Sequence, residues 1–167
     1  KINNSTLIHF STDYVFDGKN NKKYKPTDRP NPINIYGKSK LVGEQNILNS
    51  GCNFFIFRIS WLVSEFGDNF IKKIISKLKK EKELFIVKDQ IGSPISSTLV
   101  AEITAETILL SRSKNSNQVF HLSTKGEVSW YDIAIYIYSF LEKSYKNRII
   151  NSIYTKEYVS KVSRPYN

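Results

Sequence analysis

Thr6-Leu7-Ile8-His9-Phe10-Ser11-Thr12-Asp13-Tyr14 is the stretch on which the fold turns. Residues 6–10 form a short, largely apolar run, and the polar turn that begins at Ser11 ends it, so the run reads as a strand that delivers hydroxyl and carboxylate groups at its carboxyl end. A leading strand of this kind belongs inside a parallel sheet, buried on both faces. It needs neighbours that nothing before it supplies. The sequence also has no methionine. Together these give the expectation of a longer polypeptide, with a part of the sheet upstream.

Outward from this stretch, strands and helices alternate. Residues 11–31 are a polar loop with Gly18, Pro26 and Pro30, and 34–49 have helical spacing that stops at Gly51. Residues 54–59 are a second buried strand, 69–80 an amphipathic helix, 84–87 a short strand and 89–97 a turn-rich loop. A helix is predicted over 99–111, a strand over 119–122, and a helix over 130–142 with Ser129 as its N-cap. Such alternation implies right-handed strand-helix-strand crossovers and a parallel sheet, the α/β class.

Composition narrows the function classes. Of 167 residues 40% are hydrophobic, which is enough for a packed core and argues against disorder. Cys52 is the single cysteine, so no internal disulfide forms, and residues 1–10 lack the pattern of a signal peptide. A reducing cytoplasm is the expected compartment. No apolar run approaches the ~20 residues that span a bilayer, since Arg58 interrupts the best of them, 53–63. The net charge of +10 is spread along the chain. Its densest run, Lys72 to Lys82, alternates with Ile71, Ile74, Ile75 and Leu78 as a solvated helix face does. A nucleic-acid partner is therefore not expected, whereas anionic nucleotide ligands suit the charge.

Tyr36 and Lys40 lie four residues apart in the first predicted helix, on one face. A free phenol titrates near 10, and a fixed cation beside it stabilises the phenolate, so the pair suits proton donation to a carbonyl oxygen that receives a hydride. Spacing alone is weak evidence in a chain so rich in Tyr and Lys. The company strengthens it: Thr12 stands at a strand end, where ligands bind in open α/β sheets. His9 and His121 read as packed histidines, Trp130 as core, and no His, Cys and carboxylate spacing suggests a transition-metal site.

The order Thr12, Tyr36, Lys40 resembles the triad of the short-chain dehydrogenases. Ser11 to Gly18, Tyr24-Lys25-Pro26-Thr27-Asp28, Asn31-Pro32, Ile35-Tyr36-Gly37-Lys38-Ser39-Lys40 and Gly43-Glu44 are similar to ordered segments of the dTDP-4-dehydrorhamnose reductases. So are Arg58-Ile59-Ser60-Trp61, Asp89-Gln90-Ile91-Gly92-Ser93-Pro94, Phe120-His121-Leu122, Gly126-Glu127-Val128-Ser129-Trp130 and Arg164-Pro165-Tyr166-Asn167. Ile95 stands where the family usually has Thr.

The resemblance implies a partial Rossmann-like, doubly wound parallel sheet with a small substrate-binding lobe. Residues 1–88 would be the later part of the Rossmann-like domain, and 89–167 the lobe and a returning strand. It implies an NADPH- or NADH-dependent oxidoreductase in the synthesis of dTDP-rhamnose for cell-surface polysaccharide such as lipopolysaccharide. Tyr36 would be proton donor and, with Lys40, would hold the cofactor; Thr12, Asp13, Tyr14 and Trp61 would meet the dTDP sugar. Related 4,6-dehydratases carry Asp-Glu where this chain has Asp13-Tyr14, which favours ketone reduction over dehydration. Some members associate with magnesium, for which no residue here suggests a place, and a homodimer is an arrangement that the resemblance leaves open. None of the seven glycines gives the spacing of a pyrophosphate-cradling turn, so that half of the cofactor site is expected upstream. Two other readings stay open: another nucleotide-sugar reductase or epimerase, and a non-catalytic binding subunit of the same fold, like the regulatory subunit of methionine adenosyltransferase.

Overall fold

The computed structural model describes residues 5–20, 22–111, 117–141, 143–158 and 164–165. Strand β1 (Thr6–Thr12) leads through a short 3-10 turn and a long loop to helix α1 (Ile35–Ser50), and β2 (Asn53–Ile59) follows. Then come β3 (Leu62–Val63), α2 (Phe70–Lys80), β4 (Glu83–Val87), β5 (Ile91–Gly92), β6 (Ile95–Ser96) and α3 (Ser97–Ser111). The chain continues through β7 (Gln118–Leu122), β8 (Val128–Ser129), α4 (Trp130–Leu141) and β9 (Ile149–Ile153). The class is α/β, as the alternation predicts, with parallel pairing in three of the four sheets.

The main sheet has the order β1-β2-β7, all parallel. Its middle strand explains its stability. Phe54, Phe55, Ile56, Phe57 and Arg58 are buried in succession, because β2 has a strand on each side and cover on each face. Phe57 stacks with Phe10 of β1 and Phe120 of β7, and Phe55 with Phe120. Among the described residues β1 pairs with β2 alone, and Leu7 and Phe10 are each 44% exposed. The burial on both faces that the sequence predicts for the first strand thus belongs to the second.

A second core lies between α2, β4 and α4, from Ile74, Leu78, Leu84, Ile86, Ala134 and Ile137. Each isoleucine and leucine of this set, when fully buried, adds about 1.5–3 kcal/mol. The apolar positions of α2 face this core while its lysines face water, so the basic run is a solvated helix face. Strand β4 does not join the main sheet but pairs in parallel with β9, a strand that periodicity does not reveal. The loop predicted over 89–97 contains two short strands: β5 pairs antiparallel with β8, and β6 in parallel with β3. No helix among the described residues is long and apolar enough to cross a membrane.

Candidate active site

The turn after β1 makes the floor of the site. Thr12 is buried and caps the 3-10 turn by accepting from the Tyr14 amide at 3.2 Å, while its hydroxyl donates to Asp13 Oδ1 at 3.0 Å. Asp13 Oδ2 accepts from the Ser60 hydroxyl at 2.9 Å, which fastens the end of β1 to the residue after β2. Thr12, which by resemblance would meet the dTDP sugar, here gives its one hydroxyl proton to Asp13.

Helix α1 meets this turn at very short range. Asn34 starts the helix by accepting from the Gly37 amide at 2.8 Å. A Cβ at Gly37 would stand 2.1 Å from the Tyr14 carbonyl oxygen, so only glycine lets the first helical turn lie on residues 13–15. Tyr36 is thereby set edge-on to the Tyr14 ring, centroids 5.9 Å apart, with half of its surface still exposed. Burial raises the Tyr14 phenol above its ordinary value; Arg164 opposes this, and Asp13 and Tyr36 add to it. Tyr14 is therefore a neutral hydrogen-bond donor near pH 7. One turn along α1, Lys40 Nζ donates to the Phe10 carbonyl at 3.0 Å, which keeps the ammonium at the carboxyl half of β1.

Thr12, Asp13, Tyr14, Tyr36 and Lys40 are thus collected where β1 ends and α1 begins. Trp61 is held differently. Its indole stacks on Trp130 at 3.5 Å with the two rings nearly parallel, and Gly92 lies against the same ring. Trp61 takes the left-handed backbone conformation, φ 43°, and its carbonyl accepts from the Ile95 amide at 3.2 Å. Trp130, read as core, also donates from Nε1 to Gln90 at 3.2 Å.

Beside the turn opens a cleft of about 820 Å³, walled by Asp13, Ser60, Gly92, His121 and the loop carrying Lys19, Lys22 and Lys23. Arg58 forms part of its wall. Arg58 and Glu44, to which the sequence assigns no role in the site, form a buried, two-pronged ion pair, Nη2 to Oε2 at 2.7 Å and Nε to Oε1 at 3.0 Å. An arginine that interrupts an apolar strand was the signal. His121, taken as a packed residue, lies beside this pair. Arg58 Nη1 donates to His121 Nε2 at 3.4 Å, so Nδ1 carries the proton and donates to the Tyr24 carbonyl at 3.2 Å. Burial first, and then the guanidinium, lower the pKa of His121 and keep the ring neutral. Among the described residues no three His, Cys, Asp or Glu side chains come together as a metal site.

Known proteins are similar to this chain over nearly its whole length. A dTDP-4-dehydrorhamnose reductase of Sinorhizobium fredii is 40% identical over 165 residues, 96% of this chain and 56% of that protein. One from Escherichia coli K12 is 34% identical, over 96% of this chain and 55% of its own length. The chain thus spans a little over half the length of these curated relatives. The crystal structure of dTDP-4-dehydrorhamnose reductase from Bacillus anthracis in complex with NADP superimposes on 99% of this chain, and on 57% of its own, with TM-score 0.89 and 34% identity. The overlap extends over the sheet and the second core alike, a Rossmann-like arrangement, and the family description RmlD substrate binding domain matches residues 1–167 without a break. On that match, which takes in the turn, the helix and the cleft together, the chain belongs to the RmlD substrate binding domain family.

Proposed function

We propose that the protein containing this chain reduces the 4-keto group of dTDP-4-dehydro-6-deoxy-L-mannose to give dTDP-L-rhamnose. The observation that carries the reading is the seating of Tyr36 and Lys40 against the Thr12 turn, at the carboxyl end of a parallel strand, in a chain of this family. A nicotinamide cofactor, NADPH or NADH, supplies the hydride when bound. The residues present fit its nicotinamide end: an exposed phenol and an ammonium stand together beside an open strand end. They do not fit its pyrophosphate end, since no two of the seven glycines have the spacing of a phosphate-cradling turn.

The chemistry left to this chain is binding and proton transfer. The Tyr36 hydroxyl gives its proton to the oxygen that becomes the sugar hydroxyl, and Lys40 stabilises the phenolate left behind. Thr12 turns its hydroxyl from Asp13 to the carbonyl oxygen and holds it in line. Tyr14 stands behind the reacting sugar as a neutral donor. Lys19 and Lys22 give the cleft the positive lining that suits a sugar diphosphate. Trp61 lies behind Gly92, which lines the cleft, and has one face already occupied by Trp130. Residues 1–88 would supply the catalytic groups and 89–167 the substrate lobe and the strand that returns to the main sheet, in a cytoplasmic protein that could pair as a homodimer.

The test is turnover by the full-length protein, followed as NADPH oxidation with dTDP-4-dehydro-6-deoxy-L-mannose and as formation of dTDP-L-rhamnose. Folded protein that consumes no NADPH with this sugar, or that instead dehydrates dTDP-glucose, overturns the reading.

A further inference from the structure

Tyr36, Lys40 and Glu44 follow one another at four-residue intervals and share one face of α1. The first two are exposed or half-buried, but Glu44 is 1% exposed. It accepts from the Ser11 hydroxyl, one residue before Thr12, and from two nitrogens of Arg58. The opposite edge of the same guanidinium serves a different element. Its Nη1 donates to the Pro26 carbonyl at 3.3 Å and to His121, whose other nitrogen donates to the Tyr24 carbonyl. Phe16 lies under the guanidinium at 5.1 Å, stacks on Tyr24 at 4.3 Å and takes the edge of His121 at 5.6 Å. Arg58 thus holds the helix of Tyr36 by one edge and the loop that walls the cleft by the other.

A buried ion pair adds little stability over well-packed apolar side chains, because desolvation offsets the attraction. Its two parallel bonds do fix distance and orientation. The cluster is therefore better suited to setting geometry than to strengthening a core. We infer that Arg58 is a positioning residue, which couples the cleft loop at Phe16, Tyr24 and Pro26 to the catalytic helix through Glu44. The inference rests on the reductase reading given above and adds to it a residue that acts through others.

The experiment uses the full-length protein and separates the two edges. Glu44→Gln weakens the helix edge and should lower kcat about tenfold or more with KM within about twofold, since a small misplacement of a catalytic group slows the reaction more than it weakens binding. His121→Asn weakens the loop edge and should raise KM several-fold with kcat within about twofold. Arg58→Lys keeps the charge but loses the planar fork, and should change both. A lower melting temperature with wild-type kcat and KM in all three variants overturns the inference. If Glu44→Gln does not fold, Arg58→Lys tests the helix edge in its place, and unchanged kcat there overturns the inference equally. Should the wild-type protein reduce no keto sugar, the functional reading fails on its own. The coupling is then read from the ring resonances of labelled tyrosine, with Tyr36 assigned through Tyr36→Phe. Arg58→Lys should move the signals of both Tyr24 and Tyr36, and a Tyr36 signal that stays in place overturns the coupling.

Discussion

Tyr36→Phe removes one hydroxyl from α1 and leaves its ring on Tyr14, so the variant isolates proton donation from packing. Turnover should fall by about 10² or more, the usual share of general acid catalysis, while KM changes only a few-fold. Steady-state kinetics on the full-length protein checks this, and wild-type turnover would take Tyr36 out of the mechanism. At this scale the sequence is legible where chemistry follows from spacing or from a turn: the Tyr36 and Lys40 pair, and Thr12 at a strand end. The Glu44–Arg58–His121 cluster is not legible, because its members lie 14 and 63 residues apart and only the register of β1, β2 and β7 brings them together. Trp61 was visible as an aromatic beyond a strand end, but nothing local tells that its partner is Trp130.

Helix α4 begins with a reciprocal cap: the Asp132 amide donates to Ser129 Oγ at 3.0 Å, and the Ser129 amide donates to Asp132 Oδ2 at 2.8 Å. The hydrogen bonds from the Ser129 side chain, then from its amide, lower the pKa of Asp132. Ser129→Ala should cost about 1–2 kcal/mol of stability, measured as a lower urea midpoint at unchanged m-value; a midpoint equal to wild type would show that α4 is held by packing alone. This cap was readable in advance, as were the ends of α1 and α2, because caps are local. Strand β9 was not. Its residues Ile149-Ile150-Asn151-Ser152-Ile153 lack clear alternation, and their partner β4 is some 66 residues away. The two-residue strands β5 and β6 likewise exist only through distant partners.

For the molecule as a whole, two histidines set the response to mild acid. The pKa of His9 is lowered by burial, then by Lys40, and that of His121 by burial, then by Arg58, both from an ordinary value of 6.5. The unfolded chain therefore takes up these protons first as pH falls through 6.5, and stability drops with pH below that value. The melting temperature should fall between about pH 7 and about pH 5, and His121→Gln should flatten the slope; an identical slope in the variant would exclude His121 as a source. Asp17 does not enter this window, since hydrogen bonds from Tyr24, the Lys19 amide and Asn31 hold it at about 2. The second core described above has a temporal consequence. Ile74 and Leu78 of α2 are covered by Ala134 and Ile137 of α4, about 60 residues later in the chain. A ribosome adding roughly 5–20 residues per second leaves that greasy stripe uncovered for several seconds. During synthesis the lysines that flank the stripe, Lys72, Lys73, Lys77, Lys79 and Lys80, are what keeps the nascent helix in water until its cover arrives.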